Sequence, residues 1–295
     1  MRKNIVLRIL LVLVISSFLS CTKTKIDEIV IGFNPPESAD IVETNGKALA
    51  SILFDRTGLK LKTFVANDYG ALIEAMRSGR VQFAFLPVFS FVQAEKMAGA
   101  KVLLKAVRKG TTQYYSAIIT AKDYKSIQDL KGKTIAWTDP ASASGHIIAK
   151  TSLMDMGIDP DTFFSRQIYA GGHDALVLAV ANKTVDAGAT YSDDPKGEQA
   201  AWTQHLKKDM SKKIKVLMMS KPIPIDTFAT TEKFQKEHPE IVEKVNETLQ
   251  QLSHSKGGKK ILWDLYHMEG LVPSNSSEFE PVREAVRRLK LDKVN

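Results

Sequence analysis

The chain has 295 residues, 44% of them hydrophobic and 25% charged, with a single cysteine and a formal net charge of +8. One cysteine excludes an internal disulfide. The charge excess is too mild, and too free of interleaved aromatics, to be a nucleic-acid footprint, so no nucleic-acid partner is expected. The densest basic run, "KKDMSKKIK" at 207–215, reads as a solvated face.

At the N-terminus, Arg2, Lys3 and Arg8 flank and interrupt an apolar run that stops at a small residue, the pattern of a secretory signal peptide over residues 1–20. A membrane span would need a longer run. Without those three basic residues the remainder carries +5. The stretch "FLSC" at 18–21 resembles a bacterial lipobox, with Phe18 and Leu19 where aliphatic and small residues are usual. That resemblance implies lipidation of Cys21, attachment to a membrane through the lipid, and a polar tether over 21–28. Simple cleavage and release is the other outcome of the pattern.

From residue 29 the chain alternates strand and helix signals. "DEIVIGFNPP" is a period-two run ending at a Pro-Pro turn, "NGKALASILFDRTG" a helix closed by glycine, "LKLKTFVAN" a strand, "DYGALIEAMRSGR" a helix and "VQFAFLP" a strand. The second half repeats the order with "KTIAWTDP", "SASGHIIAKTSLMDMG", "FFSRQIYAGG", "HDALVLAVANKT" and "VDAGATY". The pattern predicts an α/β protein of two lobes, each with a parallel sheet flanked by helices and right-handed crossovers. We place lobe 1 at 29–116 plus 228–295 and lobe 2 at 117–227, a length that suits two domains. Stretches 112–124 and 215–234 are the expected crossings and hinge. The rest, from "HPEIVEKVNETLQQLSHS" to "PVREAVRRLKL", is helical by periodicity and is expected to pack back on lobe 1.

Strand-to-helix loops of such sheets face the ligand cleft. "TDPASASG" at 138–145 is one of them. Ser142 and Ser144 at a helix start either cap the helix or donate to an anion, and Gly145 permits close backbone approach. Phe89 in "PVFSF" is a candidate apolar wall, with Phe85 and Phe91 in the core.

The segments "ANDYGALIEAMRSGRV", "DPASASG", "GGHDALVLAVANKTVDA" and "SKPIPIDTF", in this order and spacing, resemble the periplasmic phosphonate- and phosphite-binding proteins of ABC transporters, from about Ile29 to Val282. The resemblance implies the type II two-lobed periplasmic-binding-protein fold. It also implies an anion seated on Ser142, Ala143, Ser144 and Gly145, with His173 at the start of the next helix and Tyr69 and Tyr114 closing the pocket. Asp193 and Asp226 match acids that receive an aminoalkyl group. Ala143 stands where threonine is usual, and Asp193 is shorter than the usual glutamate. The implied activity is capture of a small oxyanion (phosphonate, phosphite or phosphate) by hinge closure, and delivery to a membrane permease by a monomer outside the cytoplasm.

Two other readings compete. A sensor that binds another oxyanion, such as arsenite, and signals to a kinase would keep the fold. A serine hydrolase would use Ser144, His173 and Asp226, but the serine lacks a GxSxG context. His146, His173, His205, His238, His254 and His267 are scattered, with no HExxH pair, so no metal or other cofactor is expected.

Overall fold

The computed structural model describes residue 26, residues 28–33 and residues 39–291. The signal peptide, Cys21, most of the tether and the Pro-Pro turn lie outside the described residues. The first sheet contains β1 (Glu28–Phe33), β2 (Lys60–Val65), β3 (Phe83–Leu86), β4 (Ala100–Val107), β11 (Thr227–Thr231) and β12 (Gly270–Pro273), in the order β12-β4-β11-β3-β1-β2. The second contains β5 (Gln113–Thr120), β6 (Thr134–Trp137), β7 (Arg166–Tyr169), β8 (Ala187–Ser192), β9 (Lys215–Met219) and β10 (Ile223–Pro224), in the order β10-β5-β8-β6-β7, with β9 also on β5.

One plan serves both sheets. β1 lies between its parallel partners β2 and β3, and β6 between its parallel partners β7 and β8. The third strand of each trio then pairs antiparallel with a strand arriving from a crossing, β3 with β11 and β8 with β5. The alternating strand-helix pattern therefore produces parallel trios, and the crossing strands make the complete sheets mixed. Because β5 belongs wholly to the second sheet, the chain passes between sheets at 108–112, and it returns at 225–226.

Helices cover the sheets where the apolar periodicity puts them. In the first lobe these are α1 (Ala39–Thr57), α2 (Tyr69–Arg77) and α3 (Val88–Ala98). α2 begins because the Asp68 carboxylate accepts the Ala71 N–H at 2.7 Å, and it buries Leu72, Ile73, Ala75 and Met76. In the second lobe, α4 (Ile148–Asp155) follows β6, and α5 (His173–Ala181) buries Leu176, Val177 and Val180. The units α2–β3 and α5–β8 occupy equivalent places, so Tyr69 and His173 are each the first residue of a corresponding helix.

The C-terminal region departs from the all-helical expectation. After α6 (Pro239–Leu252) and α7 (Lys256–Tyr266), the short strand β12 joins the sheet edge antiparallel to β4, ahead of α8 (Glu280–Arg288). Nor does α8 serve lobe 1 alone. Arg283 makes a two-pronged contact with Glu95 of α3 at 2.7 and 2.8 Å, while Arg288 reaches Asp155 of α4 at 2.6 Å. Phe279, Val282, Ala285 and Val286 share one apolar cluster with Phe91 of the first lobe and Ile147 and Ile148 of the second. Phe279 is fully buried, with its ring edge-on to Phe91 at 4.8 Å between centroids. Phe279→Ala should therefore cost about 3–5 kcal/mol of folding stability, measurable by urea denaturation.

Candidate functional site

The loop after β6 is built by its own side chains. The Asp139 carboxylate accepts the Ala141 N–H at 2.7 Å, and the Ser142 N–H donates to the Asp139 carbonyl at 3.0 Å. Ser142 then caps the next segment by accepting the Gly145 N–H on its hydroxyl at 3.0 Å. An ordinary α-helix from 142 is the sequence expectation, but residues 143–147 form a π turn, closed by the Ile147 N–H on the Ser142 carbonyl at 3.0 Å, before α4 proper. Such turns concentrate at functional sites. His146, buried beneath the turn, is 2.9 Å from the Pro140 carbonyl through Nδ1 and 3.0 Å from the Tyr169 hydroxyl through Nε2, which holds the turn against the sheet. Burial lowers its pKa, keeping the ring neutral.

Gly145 sits where no side chain fits. A Cβ there would stand 2.2 Å from Thr138 Oγ1, while the Thr138 N–H donates to the Gly145 carbonyl at 3.0 Å. Thr138 Oγ1 in turn donates to the Ala189 carbonyl at 3.0 Å and lies 3.3 Å from His173 Nδ1. The Thr190 hydroxyl lies closer to the same nitrogen, at 2.8 Å. Burial, with nearby His205 adding and Asp174 opposing, pushes the His173 pKa down to about 4, so the imidazole is neutral near pH 7. A neutral ring that accepts the Thr190 hydroxyl on Nδ1 carries its proton on Nε2, where it is a donor.

Tyr114, on the crossing strand β5, lies close enough to the Ser144 side chain for that hydroxyl to favour its charged form; burial outweighs this and raises its pKa, helped by Asp226, so it remains a neutral phenol. The Ser144 backbone is pinned separately, its carbonyl accepting the Ser116 hydroxyl at 2.5 Å. Tyr69, on the first lobe, is partly exposed, and its pKa is raised by burial and by the carboxylates of Asp226 on the return crossing and Asp139 of the second lobe. Ala143 is buried in the apolar cluster between the lobes, together with Phe89 and Phe91, while Phe85 lies in the separate core of the first lobe.

Asp193 and Asp226 each meet a cation of the chain itself. Lys109 Nζ lies 2.7 Å from Asp193, which is 6% exposed, and Arg108 lies 3.0 Å from Asp226 and 3.2 Å from the Tyr266 carbonyl. Both cations belong to one tight turn, in which Arg108 and Thr111 exchange backbone hydrogen bonds of 2.9 and 3.0 Å around Lys109 and Gly110. Lys109 has φ +52° and Gly110 +72°, the dihedrals of a two-residue hairpin turn that favours Asn-Gly. A lysine held there costs about 1–2 kcal/mol, and backbone strain of this kind gathers at functional sites.

The structure thus brings Ser142, Ser144, Gly145, Tyr114 and His173 into one connected network, and sets Tyr69, Asp193 and Asp226 at its hinge side. Thr138, Thr190, Arg108 and Lys109 were not singled out from sequence. The only signal for the threonines is a hydroxyl in an otherwise apolar or small strand end. The would-be hydrolase triad is not assembled: Ser144 pairs with Tyr114, His173 Nδ1 with Thr190 and Thr138, and Asp226 with Arg108.

Two outcomes follow from this geometry. Gly145→Ala must push Thr138 aside, which should cost about 1–3 kcal/mol by denaturant titration. The folded-state pKa of His173 lies below its unfolded value of about 6.5, so the unfolded chain binds more protons in between. Stability should therefore fall as pH drops from about 7 towards 4, and His173→Asn should flatten that fall in unfolding curves taken at pH 7 and pH 5. His146 has the same sign and should keep part of the slope.

Residues 31–279 match the family described as ABC transporter, phosphonate, periplasmic substrate-binding protein. The chain is 30% identical over 177 residues to the phosphate-import protein PhnD of Mycolicibacterium smegmatis, covering 56% of this chain and 55% of that protein. It is 29% identical over 178 residues to the phosphonates-binding periplasmic protein of Escherichia coli, covering 58% and 51%. The chain thus spans about half the length of these curated relatives. Its fold is similar to that of a protein of Prochlorococcus marinus solved in complex with methylphosphonate, with a TM-score of 0.71 and 18% identity over 90% of this chain and 99% of that one. Two mixed sheets with crossing strands between them, and a family match across most of the chain, lead to one conclusion: this protein belongs to the phosphonate-binding family of ABC transporter periplasmic substrate-binding proteins, a family of binders and not of enzymes.

Proposed function

We propose that this protein captures a small phosphorus oxyanion (phosphonate, phosphite or phosphate) between its lobes and delivers it to a membrane permease. Family membership places it outside the cytoplasm. The observation that carries the ligand class is that neutral hydroxyl and imidazole groups of three elements are gathered at one helix start: Tyr114 of β5 lies at Ser144 of the 142–145 turn, and Thr138 joins that turn to His173 of α5. Hydroxyls, a neutral imidazole and backbone N–H groups at the positive end of a helix satisfy a multiply accepting anion without an arginine fork. Capture proceeds by hinge motion at the two crossings, with Tyr69 closing from the first lobe. Phe89 and Ala143 keep the floor between the lobes apolar.

The test is a thermal-shift screen against phosphite, methylphosphonate, 2-aminoethylphosphonate, phosphate, sulfate and arsenite, since a ligand bound only by the folded state raises its melting temperature. A phosphorus oxyanion should give the largest shift. Ser144→Ala and His173→Ala should each weaken its binding about tenfold or more, because a hydrogen bond to a charged group contributes about 1.5–3 kcal/mol. Unchanged affinity in both variants, or a shift confined to sulfate or arsenite, would remove this assignment.

A further inference from the structure

Charge at the hinge end of the cleft is balanced by the chain itself. Asp193 directly follows β8 of the second sheet and is almost fully buried, yet its partner comes from the turn between the sheets. Asp226 lies on the return crossing and is held by the residue before Lys109. A buried carboxylate without a cation is strongly unfavourable, so Asp193 needs a positive partner whatever the cleft holds, while Asp226, its side chain 33% exposed, keeps Arg108 beside it. Here both partners are covalently tethered. A tethered ammonium competes with one in solution at an effective concentration in the millimolar range or above. Lys109 also occupies a backbone conformation that lysine does not favour, so its place in the turn is not explained by local preference.

We propose that Arg108 and Lys109 are specificity-determining residues of the cleft, built-in counter-cations that fill the places a ligand's ammonium group would take, so that the protein selects phosphorus oxyanions lacking an amine. The proposal rests on the functional reading above and narrows it to unsubstituted or alkyl species such as phosphite and methylphosphonate. With both carboxylates neutralised, an added ammonium finds no unpaired anion and must either displace a tethered cation or be buried beside one. Arg108 has a further feature in keeping with this place: its Nε is buried with no hydrogen-bond partner, and the guanidinium lies close enough to Tyr114 to act on the phenol's charge.

Isothermal titration calorimetry of the whole secreted chain with methylphosphonate and 2-aminoethylphosphonate decides the matter. The wild type should bind methylphosphonate at least tenfold more tightly. Lys109→Met or Arg108→Met should shift the ratio of the two affinities at least tenfold towards the amine, and Lys109→Met combined with Asp193→Asn, which removes both charges, should restore the wild-type preference. Circular dichroism checks that each variant folds, and the wild-type ratio stands as a test even where a single variant does not. Equal or tighter binding of 2-aminoethylphosphonate by the wild type, with methylphosphonate still bound, would overturn this proposal and leave the functional reading intact. So would an unchanged ratio in both folded single variants. Binding of neither compound, nor of phosphite, would remove the functional reading and this proposal together.

Discussion

The contact between the Gly145 backbone and Thr138 fixes more of this molecule than its size suggests. Thr138 directly follows β6, the middle strand of the second parallel trio, and its N–H closes on the Gly145 carbonyl while its hydroxyl bonds to the neighbouring strand at Ala189. Because no Cβ fits at 145, the chain lies directly on the strand end, and the π turn carries Ser142 and Ser144 to a fixed height above the sheet. The same threonine touches His173, so the first residue of α5 is aligned with the turn by a group that belongs to neither. Backbone geometry of this kind holds a site more firmly than loop side chains do, since it rests on sheet hydrogen bonds.

How much of this was legible in the sequence follows from which signals are local. Strand and helix periodicity gave the two parallel trios, and the likeness of "DYGALIEAMRSGRVQFAF" to "GHDALVLAVANKTVDAGA" gave the repeated unit that places Tyr69 and His173 at equivalent helix starts. The serines and Gly145 stood out because caps and small residues are recognisable at a helix start. Local signals fail for β12, four residues ending in proline between helices, whose strand character comes from pairing with β4. They also fail for the π turn, because the i to i+5 bond between Ser142 and Ile147 goes with the close approach of Gly145 to Thr138, a contact that small residues at a helix start do not announce. Arg108 and Lys109 look like an ordinary basic pair at a strand end. Their partners are 118 and 84 positions away, respectively, and only the topology brings them together.

The apolar cluster between the lobes and the ion pairs around it have different roles. Ile147 and Ile148 of the second lobe pack with Phe91, Phe279 and Val282, and this contact is non-directional, contributing in proportion to the area removed from water. The Arg288–Asp155 pair beside it is partly exposed and adds little, on the order of 0–1 kcal/mol. Neither tells one ligand from another. Discrimination has to come from groups that are buried and directional, and those are the hydroxyls and imidazole at the helix start together with the charges at the hinge.

On the functional reading proposed above, those two sets are coupled by chain connectivity. Tyr114 lies on the strand that begins just after the Lys109-Gly110 turn, so the residue that meets Ser144 and the residue that neutralises Asp193 are five positions apart on one crossing. Tyr114 is held within the second sheet, so its phenol stays with Ser144, while a rotation at the crossing moves Lys109 relative to Asp193. Closing the lobes would then bring the ammonium to Asp193 beside donors already in place. A ligand stabilises closure by whatever affinity it has for that form over the open one. A ligand that adds an uncompensated charge at the hinge works against that difference even where its oxyanion is well placed. The tight turn, strained as it is at Lys109, is therefore the part of the fold where motion and selectivity share the same atoms.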